Sequence, residues 1–182
     1  MVRYSLVNLW REIPSGDNSP DEVNAIIEVI SRSRDKYEYH EEWEIFVLDR
    51  VLHSSIVFPV EYGFIPQTWF DDNDPLDIMV LSYEPFEVGC LIRTRPIGLL
   101  MMEDEKGRDP KILAVPVQDP RFAGFHDLSD THPHVLKEIQ EFFETYKRLE
   151  PRKWVKFKNW QDARHAKEII LYAMKLFQEQ ID

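Results

Sequence analysis

Residues 69–80 read WFDDNDPLDIMV, an acidic turn that runs straight into an apolar strand. Asp71, Asp72, Asp74 and Asp77 crowd that turn, and Pro75 stiffens it, so less entropy is lost when the carboxylates are held in place. The strand signal of LDIMVL recurs on both sides. VNAIIEVI, YEYH, EIFVL, CLIRTRPIGLL and KILAVPV are short β-branched or aromatic runs between Val23 and about Val117. Turn chemistry flanks and separates them at Pro14–Asp21, Phe58–Pro66, Asp71–Pro75 and Glu103–Pro110.

The period changes after Thr131. Pro133 suits a first helical position, and Val135, Leu136, Ile139, Phe142, Phe143 and Tyr146 fall on one helical face. A short alternating piece, WVKFK, follows. Asn159 with Asp162 three residues on then resembles a capping pair that opens a helix towards Gln180, with Ala163, Ala166, Ile170, Ala173, Met174 and Phe177 as its buried stripe. Strands first and helices last predict an α+β fold, mainly β: a small closed barrel with two C-terminal α-helices packed outside. The 182 residues suffice for one substantial core, so a single domain is expected over 1–182.

A formal net charge of -11 argues against nucleic acid or an anionic membrane as partner. A small anion is different, because local cations or bound metals can outweigh the global field. Cys90 is the sole cysteine, sits in the apolar VGCLI stretch and reads as a packing residue rather than a nucleophile. The opening MVRYSLVNLW lacks the apolar run and small-residue cleavage site of a secretory signal, so a cytoplasmic location is expected.

Four neighbouring carboxylates repel one another, and a hard divalent cation bound through oxygen removes that cost. The loop reads equally well as solvated turn chemistry. An EF-hand is excluded, since counting from Asp72 the sixth position is Asp77 where glycine is needed and the twelfth is Tyr83 where glutamate is needed. A second acidic loop, MMEDEKGRDPK, carries Glu103, Asp104, Glu105 and Asp109. Alone it reads as a hairpin. Together the two loops suit paired metal ions of the kind that clamp the attacking and leaving oxygens of a phosphoryl group. Lys36, Arg50, Lys111 and Lys147 stand beside strands, turns or helix ends where phosphate oxygens can be held.

The stretch DNDPLD, Asp72 to Asp77, resembles the signature of the family I soluble inorganic pyrophosphatases of prokaryotic type: aspartate, any residue, aspartate, proline, a hydrophobic residue, aspartate. The resemblance continues in the family's order through IEV around Glu28, KYEY at Lys36–Tyr39, LDR at Arg50, FPVEYGFIPQT around Tyr62, RPIGLLMMEDEKGRDPK and FFETYK. It implies that Asp72, Asp77, Asp104 and Asp109 bind metal ions, magnesium with manganese as a substitute. It implies further that Asp74 is the general base and that Lys36, Arg50, Lys111, Tyr146 and Lys147 hold the phosphate groups. Glu28, Glu38 and Tyr62 match supporting groups. The same resemblance implies a five-stranded barrel of the OB type, pyrophosphate as substrate, and a homohexamer. Three positions depart from the common pattern: Phe58 for tyrosine, Asn73 for glycine and Glu61 for asparagine or aspartate. An inactive metal- or anion-binding relative on the same fold is the principal rival. An OB-type nucleic-acid binder is disfavoured by the acidic balance and the lack of a basic, aromatic-studded face.

Overall fold

Val23–Val29 (VNAIIEV) is buried at six of its seven positions, the pattern of a strand covered from both sides. In the computed structural model, which describes residues 7–181, the order is β1 (Val23–Val29), β2 (Asp35–His40), β3 (Ile45–Val51), β4 (Glu61–Phe64), β5 (Asp77–Val80), β6 (Leu91–Asp104), β7 (Gly107–Arg108), β8 (Lys111–Pro116), α1 (Pro133–Thr145), β9 (Val155–Asp162) and α2 (Ala163–Ile181). Residues 1–6, the start of the segment read as lacking a leader, and residue 182 lie outside the described part.

Five strands close on themselves. β1 pairs β4, β4 pairs β5, β5 runs parallel to β8, β8 pairs β6, and β6 returns to β1. The 14 residues of β6 make closure possible, because its start meets β1, its middle meets β8 and its far half meets β9. Alternation sends successive side chains to opposite sides. Met79, Leu113 and Val115 join Ile139, Phe142, Phe143 and Tyr146 beneath α1, whereas Ile78, Val80, Ile112 and Ala114 join Ala166, Ile170 and Ala173 beneath α2. β2 and β3 form a separate two-stranded hairpin.

Both helices bury the stripes read from the sequence, and the mainly-β architecture with two late helices stands as expected. Two local readings are corrected. Phe58–Pro66 is not merely a turn, because Glu61–Phe64 is the fully buried β4; its four residues contain a glycine and lie between prolines, which hid the strand. Asn159 is not a helix cap, because it pairs with Met101 inside β9. The strand runs to Asp162, whose carboxylate accepts the His165 amide at 3.0 Å and so caps α2. β9 also places a strand between the helices, where the alternating WVKFK was read, and extends it through Asp162. Cys90 is half-buried and packs against the α2-side core. Among the described residues no helix is long and apolar enough to cross a membrane.

Gly63 sits where β4 crosses closest to β1: a Cβ there would lie 1.8 Å from the Ile26 carbonyl oxygen, a backbone atom that cannot step aside. Gly63→Ala is therefore expected to destabilise the fold by about 3 kcal/mol. Urea unfolding checks this, and an unchanged midpoint would contradict it.

Candidate active site

The parallel register of β5 and β8 sets Asp77 beside Lys111, and β4 brings Tyr62 next to them. Lys111 Nζ donates to Asp77 at 2.5 Å, to Asp109 at 2.8 Å and to the Tyr62 hydroxyl at 3.2 Å, and that hydroxyl donates to Asp77 at 2.5 Å. The loop before β5 is tied internally. The Thr68 hydroxyl accepts the Leu76 amide at 3.0 Å, the Phe70 amide reaches Asp74 O at 2.9 Å, and the Asn73 amide reaches Phe70 O at 3.0 Å. Asn73 has φ 64°, a left-handed conformation that asparagine tolerates better than most residues, which accounts for its standing in place of glycine. Asp71 does not face the cavity group. It accepts from Tyr172 at 3.0 Å and from Arg108, fastening the loop to α2 and to β7.

On the opposite wall, the hairpin register makes Lys36 and Arg50 cross-strand neighbours. The turn after α1 supplies Tyr146 and Lys147, whose Nζ reaches Asp104 at 2.7 Å. Glu28 on β1 accepts the Tyr39 amide at 2.7 Å. Every candidate site residue read from the sequence lines one cavity of about 530 Å³: the acids Glu28, Glu38, Asp72, Asp74, Asp77, Asp104 and Asp109, the cations Lys36, Arg50, Lys111 and Lys147, and the two tyrosines Tyr62 and Tyr146. Glu105, Lys106 and Lys153 line it too; Glu105 was read in the second acidic loop without a role, and the two lysines were not singled out. Glu105 stands next to Asp104 in the same acidic loop, and that adjacency was the signal available. A loop lysine carries no such mark. Phe58 lies behind the site, 1% exposed, its ring 5.6 Å from Tyr62 and 4.7 Å from Phe142. Glu61 is fully buried and accepts from the Ser82 hydroxyl at 2.7 Å and the Ser31 amide at 3.2 Å, a structural tie between loops.

The carboxylates feel one another. Asp72 is pushed up to about 7, by burial and then by Asp77, Asp109 and Asp74. Glu28 is pushed up to about 8, chiefly by burial, with Lys36 opposing. Glu105 goes the other way, down to about 2: burial is the largest single influence and works against its charge, but the Lys153 hydrogen bond, a backbone hydrogen bond and the charges of Lys147 and Lys153 together outweigh it. Burial also opposes the charge of Lys111, yet Asp109 and Asp77 prevail and keep its ammonium protonated. Burial pushes both Tyr62 and Tyr146 up, so both remain hydroxyl donors at neutral pH.

In this arrangement lysines share the carboxylates, and among the described residues no three acid, histidine or cysteine side chains converge on a single point. The donor set nevertheless fits a hard divalent cation. It is all carboxylate oxygen, and Asp72 Oδ1 and Glu105 Oε2 are buried with no hydrogen-bond partner.

A cavity that pairs clustered carboxylates with buried ammonium, guanidinium and phenol donors is the equipment of a phosphoryl-transferring hydrolase. The family model for inorganic pyrophosphatase matches residues 25–178. The chain is 47% identical over 174 residues to an inorganic pyrophosphatase of Haloferax volcanii, covering 96% of this chain and 98% of that one. It is 48% identical over 158 residues to one from Nostoc, covering 87% and 93%. The crystal structure of inorganic pyrophosphatase from Thermus thermophilus superposes with a TM-score of 0.92 at 42% identity, covering 94% of this chain and 99% of that one. The chain belongs to the inorganic pyrophosphatase family, in the family I group that its aspartate motif resembles.

The raised acids give a signed pH dependence. Asp72 and Glu28 titrate near 4 when unfolded and near 7 and 8 when folded, so the fold binds extra protons between those values. Stability from this source is present at low pH and is lost as pH rises from about 4 towards 8. Cation-free protein is thus expected to melt at a lower temperature at pH 8 than at pH 5.5, with a shallower slope in Asp72→Asn. Calorimetry after chelator treatment checks this; a melting temperature that rises over that interval would contradict it.

Proposed function

We propose that this chain is an inorganic diphosphatase that hydrolyses pyrophosphate to two orthophosphates, using magnesium, with manganese as a substitute. The observation that carries the reading is the gathering of every motif residue around one cavity, anchored by the Asp77–Lys111–Tyr62 cluster. The named relatives are all inorganic pyrophosphatases, which gives the inactive-relative alternative no support.

Pyrophosphate carries several negative charges that repel a nucleophile until cations offset them. Lys36, Arg50 and Lys147 stand at the cavity wall to hold its oxygens by charge, and Tyr146 holds one by its hydroxyl. Lys111 serves the phosphate and the acid cluster together. Asp72, Asp77, Asp104 and Asp109 are the residues that would hold the cations, with Glu28 and Glu38 supporting them. When bound, such cations supply charge neutralisation and Lewis acidity. Asp74 is the acid best placed to take a proton from the attacking water. Its side chain is 53% exposed at the cavity, and its partner is the equally exposed Lys106 at 2.6 Å, which can swing away. Water oxygen attacks one phosphorus, the bond to the bridging oxygen breaks, and its electrons leave with the second phosphate. No covalent bond to the protein is needed.

The reading includes one domain over 1–182, the OB-type assignment of the closed five-strand ring, a cytoplasmic location and assembly into six copies. A solution mass well below six times 21.7 kDa would exclude the hexamer.

Phosphate release from pyrophosphate is expected with magnesium and is expected to vanish with chelator. Asp74→Asn should reduce it by about 10²–10⁴-fold while leaving the melting temperature near that of the parent protein. Release undiminished in Asp74→Asn would remove that residue from the base role, and none from folded protein with magnesium, manganese or cobalt would overturn the enzyme reading.

A further inference from the structure

Arg50 is braced by a residue that lines no part of the cavity. Its Nε donates to Glu150 Oε1 at 2.9 Å, and its Nη1 pairs with Asp49. Among the described residues Nη2 has no acceptor, so two of the three nitrogens are engaged and the third is free on a side chain that lines the cavity. Glu150 lies 100 residues further along the chain, and only 5% of its side chain is exposed.

The two partners belong to different parts of the fold. Arg50 rides on β3, in the hairpin that shares no strand pairing with the ring. Glu150 sits in the turn that follows α1, where its amide donates to Lys147 O at 2.9 Å and its carbonyl accepts from Lys153 at 3.3 Å. That turn delivers Tyr146, Lys147 and Lys153 to the cavity. The ion pair therefore locks the wall carrying Lys36 and Arg50 to the wall carrying the other phosphate-facing cations. A guanidinium held at Nε by a buried carboxylate is a planar fork of fixed orientation, whereas an unbraced arginine must lose rotamer freedom each time an anion binds.

We propose that Glu150 is a positioning residue that orients the Arg50 guanidinium for a phosphate group of the substrate. This rests on the reading of Arg50 as a phosphate-holding residue. The bland alternative is an ion pair that only stabilises the fold, and the two differ in what they predict for binding.

The experiment measures KM and kcat for pyrophosphate with saturating magnesium, and melting temperature, in Glu150→Gln, Arg50→Lys and the double variant. Glu150→Gln is expected to raise KM by about tenfold with a smaller change in kcat. In the Arg50→Lys background it is expected to add nothing further, since no guanidinium remains to be oriented. An unchanged KM in Glu150→Gln, or the same factor lost in both backgrounds, would overturn the proposal. Should Glu150→Gln fail to fold, Glu150→Asp decides in its place: it keeps the charge one methylene short of Nε, and a raised KM in the parent background alone is the expected result. If Arg50→Lys by itself leaves KM unchanged, the reading of Arg50 fails instead, and Glu150 loses its proposed role with it.

Discussion

Lys111 is a buried ammonium on which the acid cluster depends. Its side chain is 2% exposed, its Nζ lies within hydrogen-bonding distance of Asp77, Asp109 and the Tyr62 hydroxyl, and it stands 5.2 Å and 5.3 Å from the centres of the Tyr62 and Phe143 rings. Removing one partner from a buried ion pair costs about 3–5 kcal/mol, because the other charge is stranded away from water. That contact in turn depends on a backbone fact, the parallel register of β5 and β8. The closed ring holds that register, so the ring, the lysine and the site form one chain of cause. Gly63 supports the ring itself, because its missing side chain lets β4 lie close against the Ile26 carbonyl of β1.

Charge balance decides what the cavity accepts. Acids outnumber cations along its wall, and several of the lysines that answer them are shared: Lys111 between Asp77 and Asp109, Lys147 between Asp104 and Glu105, with Lys106 on Asp74 and Lys153 on Glu105. Two buried carboxylate oxygens, on Asp72 and Glu105, still have no partner. A polyanion alone would find this cavity repulsive, whereas a divalent cation offsets the excess of carboxylates and leaves the lysines free to meet an anion. Both together satisfy it. The global charge of -11 repels long polyanions at a distance without preventing a small one from binding at this spot.

Much of the fold was legible because buried strands and amphipathic helices write their period into the sequence. β6 and both helical stripes are plain examples. β4 was not, since four residues that include Gly63 give too short a run to outweigh the prolines around them. The start of α2 was misplaced because Asn159 and Asp162 satisfy a capping pattern equally well in a strand end, and only the pairing of β9 with β6 decides between them. The aspartates were legible as a motif, and Lys36, Lys111 and Lys147 as cations beside strands, turns or helix ends to which only the family resemblance gave a definite role. Lys106 and Lys153 look like solvated loop charges. Glu150 could not be found at all from local pattern, because its partner Arg50 is brought to it by the tertiary fold alone.

Locating bound divalent cations tests most directly whether the acid cluster holds them. Crystals grown with manganese and measured for anomalous scattering are predicted to show peaks among Asp72, Asp77, Asp104 and Asp109. Peaks confined to other surfaces, with Lys111 still the only cation in contact with Asp77 and Asp109, would contradict it.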